Sequence, residues 1–91
     1  MVINLTTVFT FKIESTFDEW LEFFDSKESD ERLSEFDIKP IFRGQSKGDP
    51  QKVIVIHQAP EGNIQKFFET HGSWIATHGV NVSTIEISDW I

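Results

Sequence analysis

A chain of 91 residues is long enough for one small domain, which we expect to span residues 1–91. Eight Lys and Arg against fifteen Asp and Glu leave a formal net charge of −7, which argues against a surface that binds phosphate backbones or anionic lipids. The lack of cysteine excludes disulfides, thiolate metal sites and cysteine nucleophiles. Because the sequence shows neither a basic leader nor a long apolar run, we expect a soluble, cytoplasmic protein that contacts neither nucleic acid nor membrane.

The first predicted elements are a strand and a helix. Odd positions from Ile3 to Ile13 are mostly apolar and even positions mostly polar, and this period of two indicates a strand with one apolar face. The segment Thr16-Phe17-Asp18-Glu19 fits a capping box, which satisfies free N–H groups at a helix start. One apolar stripe at helical spacing follows, formed by Phe17, Trp20, Leu21 and Phe24.

The middle of the chain predicts a short helical turn and two strands. The turn runs from Asp30 to Phe36, and Ile38-Lys39-Pro40 ends it because a residue before proline prefers extended geometry. Residues 41–45 predict a short strand at a sheet edge, next to Pro40. Residues 52–58 form a nearly continuous β-branched run, which is typical of a central strand buried on both faces.

The last predicted elements are a helix and a strand. The helix opens at Pro60-Glu61-Gly62-Asn63 and has Gly79 as its C-cap, and Gly72 leaves open whether it is one helix or two pieces. The final strand covers residues 80–88. Its apolar pairs Val80/Val82 and Ile85/Ile87 differ in parity, which a bulge near Ser83-Thr84 reconciles.

This order of elements predicts an α+β domain of the ferredoxin-like βαββαβ type. Four antiparallel strands form its sheet, and two helices lie on one face. The other face then carries Val8, one parity of residues 53–56, and either the valine pair or the isoleucine pair of the last strand. A second copy is the best cover for such a face, so we predict a homodimer with its sheets face to face.

Short segments along the chain carry a family resemblance. They are Thr10-Phe11-Lys12, Phe17-Asp18-Glu19-Trp20, Phe24-Asp25, Ile38-Lys39-Pro40-Ile41-Phe42-Arg43-Gly44, Asp49-Pro50, Val53-Ile54-Val55-Ile56-His57-Gln58-Ala59-Pro60 and His78-Gly79-Val80. By these segments the chain resembles a family of short uncharacterised proteins from cyanobacteria, and the resemblance extends over nearly the whole chain. That family is similar to the dimeric α+β barrels, a group that includes antibiotic-biosynthesis monooxygenases, small lactone isomerases and haem-degrading enzymes. The resemblance implies the fold and the dimer but no catalytic residue, since no catalytic motif is shared residue by residue.

Arg43 and His57 are the first candidate site residues. Arg43 lies on a strand among apolar side chains, where a guanidinium needs an anionic ligand or an ion pair with Asp25, Asp37 or Asp49. His57 ends the buried strand, and a neutral imidazole there could serve as an acid or base near neutral pH. The alternative for His57 is a core position with both ring nitrogens satisfied.

Two tryptophans and one aspartate complete the candidate ligand-binding residues. Trp20 and Trp74, one on each helix, could line an apolar pocket or simply fill the core. Asp49 is the remaining candidate, in the turn before the central strand. His71 and His78 lie about 10 Å apart along a helix, too far to chelate one metal by themselves, so we expect neither a metal site nor a cofactor.

Three functional hypotheses follow from these patterns. The first is a dimeric barrel that binds a small apolar or anionic ligand between sheet and helices. The second is a cofactor-independent, monooxygenase- or isomerase-like enzyme that uses His57 and Arg43. The third is an interaction module, because residues 14–37 hold ten of the fifteen acidic side chains and sum to −8. A solvated helix face explains the same charge without any partner.

Overall fold

Alternating apolar and polar residues along four segments produce the strands of one antiparallel sheet. The structure is a computed structural model that describes residues 3–91, so Met1 and Val2 of the predicted opening segment lie outside the described residues. The sheet order is β2-β3-β1-β4. In chain order the elements are β1 (Asn4–Ile13), α1 (Phe17–Phe24), α2 (Lys27–Glu35), β2 (Lys39–Gln45), β3 (Lys52–Pro60), α3 (Asn63–Thr77) and β4 (Val80–Trp90). The α+β class with a ferredoxin-like strand arrangement is confirmed, with α2 as an additional helix.

One face of the sheet, the helix face, carries the core. Phe9 pairs with Val55 and Phe11 with Val53 across β1 and β3, and all four side chains are buried. Trp20 of α1 is 2% exposed and packs in the same cluster. Burial of these large apolar groups is what holds the helices to this face.

The helices between β1 and β2 begin at capping hydroxyls. The Thr16 hydroxyl accepts the Glu19 N–H at 3.2 Å and donates to the Glu19 carboxylate, which confirms the predicted start of α1. Ser26 caps a second helix in the same way, so α2 begins at Lys27 rather than at Asp30. The predicted helical turn is therefore too short, because the Ser26 cap adds a turn before it.

The end of α2 comes from a Schellman turn and not from proline alone. Asp37 adopts a left-handed φ of 56°, and the Ile38 N–H donates to the Leu33 carbonyl at 3.0 Å. Leu33 and Ile38 pack together in one buried cluster. The helix is thus complete before Pro40, which lies inside the edge strand β2.

Helix α3 runs unbroken from Asn63 to Thr77 with Gly72 in its interior. A break at Gly72 is therefore excluded, and the single helix is the correct alternative. Gly79 adopts a φ of 85° directly after the C-cap residue His78, as predicted for the residue that ends this helix.

The predicted bulge in β4 is present. Lys12 pairs with Asn81 and Thr10 with Glu86, so β4 has extra residues between these two pairs. The Thr84 hydroxyl accepts the Lys12 N–H at 2.8 Å, which satisfies a donor that the interrupted ladder leaves free.

Within residues 3–91, no helix covers the opposite face, which we call the open face. Its central row across the sheet is Phe42, Ile56, Val8 and Ser88. Ile56 and Val8 are half-buried, so β3 is fully buried on its helix face only. The adjoining rows mix Ile54 and Trp90 with polar and charged residues, which are Thr6, Thr10, Lys39, Gln58 and Glu86. The face is therefore a mixed surface, less apolar than the sequence predicts.

The last strand contributes to the open face differently from the prediction. Val80 is buried against Ile13, and Ile87 pairs with Phe9, so both lie on the helix face. The bulge changes the parity of the strand, and neither predicted apolar pair reaches the open face. Trp90, opposite Thr6, lies there instead. No helix of residues 3–91 is long and apolar enough to cross a membrane.

Candidate functional site

An apolar cavity of about 70 Å³ lies between the helix face of the sheet and the helices. Three strands, β1, β3 and β4, and all three helices contribute aromatic or aliphatic walls, including Phe9 from β1, Trp20 and Phe24 from α1, and Phe68 from α3. The polar exceptions among the lining side chains are His57 of β3 and Ser29 of α2. This combination of apolar walls and a few polar groups is typical of small-molecule sites.

His57 is the buried titratable side chain of this cavity and is only 8% exposed. Its ring stacks on Phe24 at a centroid distance of 5.9 Å and meets the edge of Phe9 at 5.5 Å. Within the described part of the chain, Nδ1 is buried and has no hydrogen-bond partner. Burial lowers the pKa of His57 from 6.5 to about 4, so the ring is neutral at pH 7. His57 is thus a core residue by burial, and no protein group within residues 3–91 hydrogen-bonds its Nδ1.

A short row of polar side chains crosses the helix face of the sheet at His57. His57 pairs with Thr7 of β1, and Thr7 pairs with Asp89 of β4. The Thr7 hydroxyl, 1% exposed, donates to Asp89 Oδ1 at 2.7 Å. This hydrogen bond satisfies the buried hydroxyl and leaves His57 Nδ1 as the unsatisfied group of the row.

The two candidate tryptophans both line the cavity. Trp20 lines the cavity from α1. Its ring stacks on Phe24 with 4.9 Å between the ring centroids and makes an edge contact with Phe11. Trp74 is half-buried and lies under the Arg32 guanidinium of α2, 4.2 Å from the ring centroid. Trp20 is thus part of the fixed core, while Trp74 belongs to the contact between α2 and α3.

The structure does not bring Arg43 or Asp49 into the cavity lining. Arg43 is on the helix face of β2, but its guanidinium pairs with Asp25 at 2.8 Å near the surface. This is one of the three ion pairs that the sequence allows. Asp49 pairs with Lys12 at 3.4 Å, and the Gln51 N–H that donates to it holds the pKa of this carboxyl below its ordinary value.

His71 and His78 do not line the cavity, although each ring contacts side chains that do. His71 faces the Glu35 carboxylate of α2, with 4.0 Å between nitrogen and oxygen. His78 stacks on Phe23 with 4.1 Å between the ring centroids. Among residues 3–91, no group of three His, Asp or Glu side chains is arranged to hold a metal ion.

Some parts of the site could not be identified from the sequence alone. Phe24 stacks on His57, whereas the helical spacing predicts only that Phe24 belongs to the apolar stripe of its helix. Ser29 and Leu33 close one side of the cavity from α2, whose extent the prediction underestimates. Thr7 did carry a signal, since it is the one hydroxyl on the apolar parity of β1.

The comparison with known proteins gives a family and no activity. No curated protein and no solved structure matches the chain. The profile of one family, described as a domain of unknown function (DUF3764), matches residues 3–91. This match covers the whole sheet, all three helices and every residue of the cavity, and the chain therefore belongs to the DUF3764 family.

Proposed function

We propose that this protein binds one small, largely apolar molecule in the cavity between sheet and helices, with His57 as its polar contact. The observation that carries the proposal is the buried Nδ1 of His57, which has no hydrogen-bond partner among residues 3–91 and lies among aromatic walls. A buried polar group without a partner costs about 1–3 kcal/mol, and a bound molecule that hydrogen-bonds it offsets this cost. Buried side-chain nitrogens and oxygens are nearly always hydrogen-bonded. Among residues 3–91, Ser15 Oγ and His71 Nε2 are also buried without a partner, but of the three residues only His57 lines this cavity.

The size of the cavity supports a ligand that moves side chains as it enters. At about 70 Å³ it is smaller than the roughly 150 Å³ cavity that accepts benzene. Phe23, Phe68 and Trp74 are lining residues that remain half-buried, so they have room to move. Arg32 of α2 rests on Trp74, so movement of this ring would also change the α2–α3 contact.

We also propose that two copies pair through their open faces, which would complete a dimeric α+β barrel. The apolar centre of that face, Phe42, Ile56 and Val8, supports this pairing. Charge supports it as well, because the strongly acidic segment 14–37 belongs to the helix side of the sheet. The ligand cavity lies on the other face of the sheet and is complete within one copy.

Two matched substitutions test the proposed cavity. Ile85 lines the cavity and Ile54 lies on the open face, and both are half-buried. Phenol, an apolar ring with one polar group, is the probe, and NMR shifts of the Val55 and Ile64 methyl groups report its binding. We expect Ile85→Phe to fill the cavity and abolish these shifts, and Ile54→Phe to retain them. Equal responses in both variants, or no response in the unmodified protein, would contradict the proposal.

A further inference from the structure

The cavity carries no charge at neutral pH. Of the described residues that line it, none is Asp, Glu, Lys or Arg. His57 is neutral as well, because burial lowers its pKa to about 4. The cationic group that the sequence offered for an anionic ligand, Arg43, is paired with Asp25 and does not line the cavity. A charged molecule would therefore lose its hydration here without gaining a counter-charge.

The cavity is also not suited to a purely apolar molecule. A neutral imidazole has one nitrogen that donates and one that accepts a hydrogen bond. The ring is held between Phe9 and Phe24, so it cannot easily turn Nδ1 toward water. A hydrocarbon would leave this nitrogen unsatisfied, whereas a hydroxyl can donate to it or accept from it and so fits either tautomer.

On the basis of the proposed function, we propose that the cavity selects an uncharged molecule with an apolar body and a hydroxyl group that hydrogen-bonds His57 Nδ1. The aromatic walls suit a flat body, because Phe9, Phe24 and Phe68 can meet a ring by stacking or edge contact. The class is therefore that of neutral phenols and small apolar alcohols, as distinct from carboxylates and hydrocarbons.

Three probes of one ring size test this selectivity by NMR titration at pH 7. Phenol is neutral with a hydroxyl, toluene is neutral without one, and benzoate is anionic. We expect phenol to bind at least about tenfold more tightly than benzoate. We further expect the phenol-to-toluene affinity ratio to fall about tenfold in His57→Phe, which removes the hydrogen bond and keeps an aromatic ring.

The control is the same substitution at a histidine outside the cavity lining. His71→Phe should leave the phenol-to-toluene ratio unchanged, since His71 faces Glu35 of α2. If His57→Phe does not fold, His57→Leu serves for the same comparison. Should benzoate bind as tightly as phenol, or the ratio stay constant in the His57 variant, this inference is wrong while the apolar cavity stands. If none of the three compounds shifts the cavity methyl groups, both proposals are wrong.

Discussion

At the scale of the single residue, His57 links stability to pH. In the unfolded chain the pKa of this ring is near 6.5, whereas burial lowers its pKa in the folded protein to about 4. The neutral ring is therefore fully compatible with folding above pH 6.5, and stability falls as the pH decreases from 6.5 to 4. This difference in pKa between the unfolded and folded states corresponds to a loss of about 3 kcal/mol of unfolding free energy by pH 4.

Urea unfolding at several pH values measures this contribution. We expect His57→Phe to lose less stability than the unmodified protein between pH 6.5 and 4, by about 3 kcal/mol, because Phe cannot be protonated. Carboxylates also titrate there, but they do so in both proteins and cancel in the comparison. Parallel pH profiles for the two proteins would show that the ring is protonated in the folded state without penalty.

At the scale of the element, two glycines with opposite roles allow a sharp test of how α3 ends. Gly79 has a φ of 85°, and a Cβ there would lie 3.0 Å from the Ser15 hydroxyl oxygen. Gly72 lies inside α3, and a Cβ there would meet nothing within 4 Å. The same change to alanine should thus have opposite effects at the two positions.

We expect Gly79→Ala to lower the unfolding free energy by about 1–2 kcal/mol, the cost of a left-handed conformation for a residue with a Cβ. Gly72→Ala should raise it by about 0.5–1 kcal/mol, because alanine favours the helix. Urea denaturation of both variants measures the two shifts. Destabilisation by Gly72→Ala would indicate that α3 needs a glycine in its interior, contrary to its unbroken course here.

The elements were predictable where local rules decide them. The period of two in β1, the Thr16 cap and the parity change in β4 all act over a few residues, and the structure confirms each. Helix α2 was underestimated because its few apolar residues give a weak pattern. Its stability comes from the Ser26 cap and from Leu33, which is buried only once the chain has folded.

The candidate site was predictable only in part, because local patterns do not show how elements pack against each other. Strand parity places His57 on the helix face, and helical spacing turns Trp20 inward, so sequence alone brings these two toward one region. The choice of Asp25 as the partner of Arg43 depends on how α1 docks against β2, which no local pattern encodes. That His57 Nδ1 has no hydrogen-bond partner among residues 3–91 likewise depends on how the side chains pack around the cavity, which the sequence pattern does not show.

At the scale of the whole molecule, the distribution of charge separates the two faces of the sheet. Segment 14–37 sums to −8, and its helices lie on the helix side. Arg43, which lies outside this segment, pairs with Asp25 and neutralises part of this charge, whereas the Lys27–Glu31 pair is already included in the sum. Two helix sides would still repel each other, whereas the open face has an apolar centre. This distribution of charge favours the open face over the helix side as the surface for the proposed pairing.

Two exposed apolar residues test this assembly. Phe42 is 54% exposed on the open face, and Val82 is 48% exposed in the bulge of β4. Light scattering at tens of micromolar should give twice the 10.5 kDa chain mass for the unmodified protein and for Val82→Lys. Phe42→Lys should give a single chain, because its charge would be buried without a partner between the two sheets. A single-chain mass for the unmodified protein would rule out the face-to-face dimer, and a Phe42→Lys dimer would place the interface elsewhere.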